Sequence, residues 1–310
     1  MRLGKFLVIF GLISLSILFI ADIFHNRREV KRVAERQNLE FIASQDKDTV
    51  EIILTGDVML GRTVMAKSLE ENNPSYPFQK VAKVLEKADV VFINLENPIV
   101  KNCPPHKSGF KFCASPEMLT GLRFAGVDIA NLANNHTANY GQEGLQETLE
   151  ALEDFGILTT GLGSLATKTV RGVKFGFLGF DFSSLSADKA DYELVNVSKP
   201  KVDVLIVGVH FAGEYFENPG EIQKTIAQKL IENGASVVAG HGPHWVQRKE
   251  EINGYPVYYS LGNFVFDQMW SEKTRQGLAV RLIFKGHKLV SEEELPVYIK
   301  NWAQPEFVEE

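Results

Sequence analysis

The amino-acid sequence predicts an α/β fold, and three observations carry that prediction. Short apolar runs of strand length recur through the chain, amphipathic segments of helix length lie between them, and five of the runs end in a polar group able to bind a metal. Runs of this kind, bounded by turn residues, read as buried parallel strands. Strand, helix, strand in succession implies parallel pairing with helices on the outside. Ligands in open α/β sheets sit at the carboxyl ends of the strands, so the five polar groups are expected along one edge.

In chain order, the first element lies outside the globular part. Residues 6–21 carry no charge, and Ile23-Phe24 extend the run past Asp22. At a rise of about 1.5 Å per residue this is a short membrane span or the apolar region of a signal peptide. No small-x-small cleavage site follows it, which favours an uncleaved single-pass anchor over residues 1–28. Arg27, Arg28, Lys31 and Arg32 follow the span, and the positive-inside rule taken alone would keep that side in the cytoplasm. Residues 29–48 are polar and charged and suit a stalk, so the domain is expected over 49–310.

Within the domain, Ile52-Ile53-Leu54 leads to Asp57, Val90-Val91-Phe92-Ile93 to Glu96, and Ile129-Ala130 to Asn135-His136. Val204-Leu205-Ile206-Val207 leads to His210, and Val237-Val238-Ala239 to His241 and His244. Three helices have clear signals. Ser115-Pro116 is a cap with proline at the first helical position, ahead of Met118, Leu119 and Leu122 and a stop at Gly126. Gly141 to Phe155 places Leu145, Leu149 and Leu152 on one face, and Ile222, Ile226, Leu230 and Ile231 form a third stripe ended by Gly234. Lys174 to Phe180, Pro256 to Ser260 after the Asn253-Gly254 turn, and Gly277 to Phe284 read as strands with hairpin connections, so mixed sheets or a two-sheet sandwich are expected.

Composition bounds the function. With 45% hydrophobic residues in 310, one sizeable core is expected. The net charge of −6, from 39 acidic and 33 basic residues without a Lys/Arg-rich stripe, disfavours nucleic acid as a partner. Cys103 and Cys113 flank Pro104-Pro105 and Gly109 in a hairpin-like excursion, and read either as a small disulfide loop in an oxidising compartment or as two free thiols.

The five strand ends suggest a hydrolytic site for one or two divalent cations. Asp57 after Gly56 is a weak signal by itself, since a lone Gly-Asp is usually a turn or cap. Glu96 directly follows an apolar run. Asn135 offers an amide oxygen beside His136, an imidazole able to move a proton near neutral pH. Gly240-His241-Gly242-Pro243-His244 is the most specific element, because two imidazoles fixed by glycine and proline have few structural uses. Arg62 and Glu214 are candidates to hold substrate charge.

The ordered set Gly-Asp57-Val-Met-Leu-Gly-Arg62, Asn94-Leu-Glu96-Asn-Pro, Ala-Asn-Asn135-His136 with Tyr140-Gly141, Val-His210 before Gly213-Glu214-Tyr215, Gly-His241-Gly-Pro-His244 and Tyr259-Ser-Leu-Gly-Asn263-Phe resembles the bacterial capsule synthesis protein CapA family. That family includes membrane-anchored poly-γ-glutamate biosynthesis proteins and is similar to calcineurin-like metallophosphoesterases. The resemblance implies a four-layer α/β/β/α sandwich with mixed sheets. It also implies a site for one or two divalent ions (Mn, Zn, Fe or Mg) in which Asp57 binds one metal, Glu96 bridges, Asn135, His210 and His241 hold the second, and His244 returns to the first.

His136 would then protonate a leaving group of a phosphoester or amide. The implied setting is the extracytoplasmic face of the cell membrane, with poly-γ-glutamate or another anionic polymer and its synthase complex as partners, and a Cys103 to Cys113 disulfide fits it. An accessory subunit that grips such a polymer without catalysis is the rival reading. Three departures from the phosphoesterase pattern bear on it: Met59 stands where a ligand histidine is usual, Glu96 stands where an aspartate bridges and no second acid follows it to orient His136, and His241 and His244 are separated by two residues instead of one. Within the CapA-like family itself, Asn139 stands where an aspartate is usual, which removes a possible partner behind the site.

Overall fold

The computed structural model describes residues 48–184 and 186–308. The expected anchor and nearly all of the expected stalk lie outside the described residues. Among the described residues, no helix is long and apolar enough to cross a membrane. Asp48–Val308 form one compact unit.

The strands are β1 (Thr49–Val58), β2 (Val90–Leu95), β3 (Ile129–Asn131), β4 (Leu158–Thr160), β5 (Ala166–Val170), β6 (Val173–Phe182) and β7 (Val204–Phe211). They continue as β8 (Val237–His241), β9 (Lys249–Ile252), β10 (Tyr255–Tyr258), β11 (Asn263–Val265), β12 (Gln276–Lys285), β13 (Lys288–Lys300) and β14 (Gln304–Phe307). One sheet has the order β14-β13-β12-β1-β2-β3-β4, with β11 also pairing with β1, and the other has β5-β6-β7-β8-β10-β9. In the first, β1 to β4 run parallel and β12 to β14 antiparallel; in the second, β6, β7, β8 and β10 are parallel with antiparallel edges. The helices are α1 (Arg62–Glu70), α2 (Ala82–Leu85), α3 (Leu119–Phe124), α4 (Gly141–Asp154), α5 (Lys189–Ser198) and α6 (Glu221–Glu232).

Side-chain alternation explains why the central strands read as unbroken apolar runs. In β1, Ile52 and Leu54 face the second sheet while Ile53 faces the helices; in β7, Val204 and Ile206 face the first sheet while Leu205, Val207 and Val209 face α5 and α6. Three buried layers result. Phe92, Ile129, Phe175, Phe177, Val237 and Val280 fill the space between the sheets. Val64, Leu85, Leu122 and Leu152 from α1 to α4 cover the first sheet, and Val195, Ile226 and Leu230 from α5 and α6 cover the second. The layer order is therefore helix, sheet, sheet, helix, with both sheets mixed as expected.

The expectation of a single edge needs correction. Three of the five strands, β1, β2 and β3, belong to one sheet, and β7 and β8 to the other. Each strand is covered on both faces, so its sequence does not reveal which sheet it joins. The two sheets lie face to face, and their carboxyl ends meet across the sandwich.

Gly56 is where the chain comes closest to itself beside the site. A Cβ there would lie 2.2 Å from the Gly262 carbonyl oxygen, and the next amide, of Asp57, donates to that same oxygen at 2.8 Å. Gly56→Ala is expected to cost about 3 kcal/mol in urea unfolding, because the obstruction is backbone and cannot rotate away. A loss under about 0.5 kcal/mol would mean that the end of β1 shifts freely.

Candidate metal centre

Asp57, at the end of β1, is fully buried. Its Oδ1 accepts from Asn94 Nδ2 at 2.9 Å and its Oδ2 from the Gly242 amide at 3.3 Å. Glu96 follows β2, with its amide donating to the Val58 carbonyl at 2.8 Å, so its side chain enters the same space. His210 on β7 and His241 on β8 are paired in register. Asp57, Glu96 and His210 each present a ligand atom, and these atoms lie within 4.8 Å of one another.

The Gly-Pro-His turn after β8 brings His244 onto both carboxylates, with Nδ1 at 3.2 Å from Asp57 and Nε2 at 3.8 Å from Glu96. Nδ1 also lies 2.9 Å from Asn263 Oδ1, whose amide nitrogen donates to the Thr274 carbonyl. Both neighbours of Nδ1 accept, so it carries a proton. His244, Arg62 and Tyr215 all have φ between 45° and 65°, in the left-handed region that side chains avoid. Such conformations cluster at functional sites, where surrounding contacts enforce them.

Charge in this cluster is uneven. Burial alone would raise Asp57, but the His244 hydrogen bond and charge hold it down to about 2. Burial opposes protonation of His244, yet the Glu96 and Asp57 carboxylates lift it to about 9. Burial, then the charge of Asp57, pushes Glu96 well above the usual carboxylate range. Burial lowers His210 to about 4 and also lowers His241. Without a cation, then, Asp57 is ionised against a protonated His244, His210 and His241 are neutral, and burial beside Asp57 disfavours the charged form of Glu96.

A divalent cation fits these donors. Glu96 Oε2, His210 Nδ1 and His241 Nδ1 are buried without a hydrogen-bond partner among the described residues. Buried polar atoms rarely go unpaired. His241 Nε2 donates to the Thr55 carbonyl at 2.9 Å, which leaves the Nδ1 lone pair free for a ligand. Carboxylate oxygen with imidazole nitrogen suits Mn, Fe or Zn. Met59 is buried and its sulfur accepts from the Gly61 amide at 3.1 Å, so it serves the turn before α1. Cys103, His106 and Cys113 also lie close together, but the two sulfurs are bonded to each other.

The remaining candidate residues surround this core. Asn135 is exposed, and its side chain makes no hydrogen bond among the described residues. Its neighbour Asn134 is buried, donates to the Leu95 carbonyl at 2.9 Å and accepts from the His136 amide at 3.1 Å, and so fixes the turn. His136 Nε2 lies 3.9 Å from Glu96, and burial holds it down to about 4. Asn139 in place of an aspartate does not leave His136 without a partner. Its amide donates to His136 Nδ1 at 3.0 Å, so the neutral ring carries its proton on Nε2, facing the site.

Arg62 stacks over Phe112 at 4.4 Å, pairs with Asp267, donates to the Gly109 carbonyl at 2.9 Å, and keeps a buried Nε with no partner. Glu214 is exposed, and its charge helps raise Glu96 and His244. Asn94, Asn263, Phe112 and Asp267 are partners that motif reading leaves without a role. Asn94 and Asn263 stand inside the motifs that carry the family resemblance, Asp267 lies two residues beyond β11, and Phe112 has no signal in the sequence.

Comparison with known proteins gives consistent matches. Residues 51–268 match the family model described as "Bacterial capsule synthesis protein PGA_cap". The chain is 27% identical over 316 residues to "Capsule biosynthesis protein CapA" of Bacillus anthracis, covering 92% of this chain and 74% of that one. It is 29% identical over 282 residues to "PGA biosynthesis protein CapA" of Bacillus subtilis (strain 168), covering 83% and 74%. Among solved structures, a hypothetical protein from Thermus thermophilus shares the fold, with a TM-score of 0.55 and 14% identity over 81% of this chain and 100% of that chain.

Proposed function

The chain belongs to the bacterial capsule synthesis protein PGA_cap family, and from that premise we propose that it is a membrane-anchored, extracytoplasmic protein of capsule or poly-γ-glutamate synthesis with a metal-dependent hydrolase-type site. The observation that carries the site is the convergence of buried ligand atoms of Asp57, Glu96 and His210 within 4.8 Å of one another, with Glu96 Oε2 and His210 Nδ1 unpartnered among the described residues. Asp57, Glu96, His210 and His241 would hold a divalent cation, with Asn135 and His244 as further ligands. A bound cation supplies Lewis acidity to a phosphoester or amide oxygen and acidifies water. His136, neutral at pH 7 with its proton on Nε2, is set to donate a hydrogen bond from that N–H to the charge developing on a leaving-group oxygen. Arg62 Nε offers a preorganised N–H to an oxyanion, and Glu214 stands at the exposed rim. The closed Cys103–Cys113 disulfide supports the extracytoplasmic placement, since such bonds persist in oxidising compartments.

Elemental analysis and a chromogenic phosphodiester test this reading. Purified full-length chain is expected to retain at least one divalent ion and to cleave the ester, and His241→Ala to lose about 100-fold or more in turnover together with the ion. Absence of metal, or unchanged turnover in His241→Ala, would sink it. The occupation of Met59 by the Gly61 turn favours a second reading, in which the first metal position is weakened and the cleft grips polymer carboxylates without turnover. Metal-dependent binding of soluble poly-γ-glutamate with no ester cleavage would select that reading.

A further inference from the structure

The loop closed by Cys103 and Cys113 contains no helix or strand, and residues 104–111 are exposed or half-exposed. Phe110 at its tip is 85% exposed, so burial of apolar surface does not hold the loop in place. It is nevertheless the scaffold for one side of the site. The Gly109 carbonyl accepts from Arg62 Nη1 at 2.9 Å, and the Phe110 carbonyl accepts at 3.1 Å from the same Asn139 amide that donates to His136. Phe112, next to Cys113, stacks on the His136 ring at 3.9 Å and lies under the Arg62 guanidinium at 4.4 Å. These contacts touch none of Asp57, His210 or His241. The disulfide spans ten residues and closes the loop at its base, where the Val100 amide donates to the Ala114 carbonyl.

We infer that the disulfide-closed loop is the positioning element for the anion-binding half of the site, so that Arg62 and His136 engage an oxyanion, phosphate or carboxylate, only while the Cys103–Cys113 bond is closed. This inference rests on the assignment of Arg62 and His136 to substrate. An external dithiol would open the bond by thiolate attack on one sulfur and then resolution by its second thiol. The dithiol becomes a cyclic disulfide, and Cys103 and Cys113 each take up one electron and one proton. The freed loop then releases the carbonyls that fix Arg62 and Asn139 and withdraws Phe112 from between Arg62 and His136. The metal donors, held by strand ends, stay in place.

The test uses full-length chain purified in detergent and loaded with manganese, with inorganic phosphate as the probe in titration calorimetry. Reduction with dithiothreitol followed by anaerobic desalting is expected to raise the phosphate Kd at least tenfold while manganese content is unchanged, and reoxidation should restore affinity. The Cys103→Ser/Cys113→Ser chain should match the reduced protein. Phe112→Leu with the disulfide intact should weaken phosphate severalfold, with rescue in Phe112→Tyr. Equal phosphate affinity before and after reduction would overturn the inference, as would loss of manganese and fold together on reduction. Failure of the oxidised chain to bind phosphate at all would overturn the anion-site assignment and this inference with it.

Discussion

Asp57→Ala is expected to abolish divalent-metal binding and to destabilise the metal-free fold by about 3–5 kcal/mol at pH 7, the range found when one partner of a buried ion pair is removed. Asp57 has no solvent exposure and compensates a buried, protonated His244 while also accepting from Asn94 and the Gly242 amide. Its removal leaves the Asn94 and Gly242 donors unpaired and the His244 charge uncompensated in a space closed to water. The dependence on pH identifies the pair as the cause. His244 is raised from 6.5 to about 9 in the folded chain, so its share of stability is fully present below pH 6.5 and is lost as pH rises through about 9. Asp57 is lowered from 3.8 to about 2, so its share is present above pH 3.8 and is lost as pH falls through about 2. Urea unfolding in chelator should therefore show the largest gap between wild type and Asp57→Ala at pH 5 to 6, shrinking by pH 9.5. An equal gap at both ends would show that lost packing, not the lost charge pair, sets the cost.

Much of this site is legible in the sequence because the fold forces its chemistry to strand ends. The runs before Asp57, Glu96, His210 and His241 have to be buried strands, and each side chain lies where the run stops. How the runs divide between sheets is not legible. β1 and β7 are both apolar on two faces, so nothing in Ile52-Ile53-Leu54 or Val204-Leu205-Ile206-Val207 assigns one to each sheet, and the expected single edge is in fact two edges facing one another. The helices ended by Gly126, Gly156 and Gly234 stand out because those glycines adopt positive φ at the helix ends. Helices α1 and α5 give no such signal: α1 mixes buried Thr63 and Ser68 into its inner face, and α5 buries only Val195 and Ser198, so neither shows a clean apolar stripe.

Side-chain partners are the least legible part. Asn139 reads as the loss of an orienting acid, but an amide can fill that place by donating where a carboxylate would accept, and it selects the opposite tautomer of His136. Asn134 and Asn135 are adjacent in sequence and opposite in environment, one buried and tying the turn to β2, the other exposed. Their separation depends on the turn geometry, which the residue types alone do not specify. The loop from Cys103 to Cys113 is similar: its cysteines are visible, but its carbonyl contacts to Arg62 and Asn139 come from segments 47 and 29 residues away.

Metal affinity is expected to rise steeply with pH, by about tenfold or more per unit between pH 6 and 8, because the cation must displace protons that the metal-free cluster holds. His244, raised to about 9, is cationic at neutral pH and carries one of them, and burial and the charge of Asp57 shift Glu96 toward its protonated form. His210, lowered to about 4, and His241, also lowered, are already neutral and release nothing. The sign follows from linkage: a proton bound in the free state and absent from the complex makes binding tighter as pH increases, until the pH passes the free-state pKa. The rise should therefore flatten above about pH 9, where His244 is neutral before the metal arrives. Manganese titrations in two buffers of different ionisation enthalpy measure the protons released directly. Glu96→Gln should release fewer protons than wild type as well as binding more weakly, whereas His210→Ala should weaken binding with proton release unchanged. An affinity that stays flat from pH 6 to 8 would mean that neither Glu96 nor His244 meets the cation, and would leave the ligand set to Asp57, His210, His241 and Asn135.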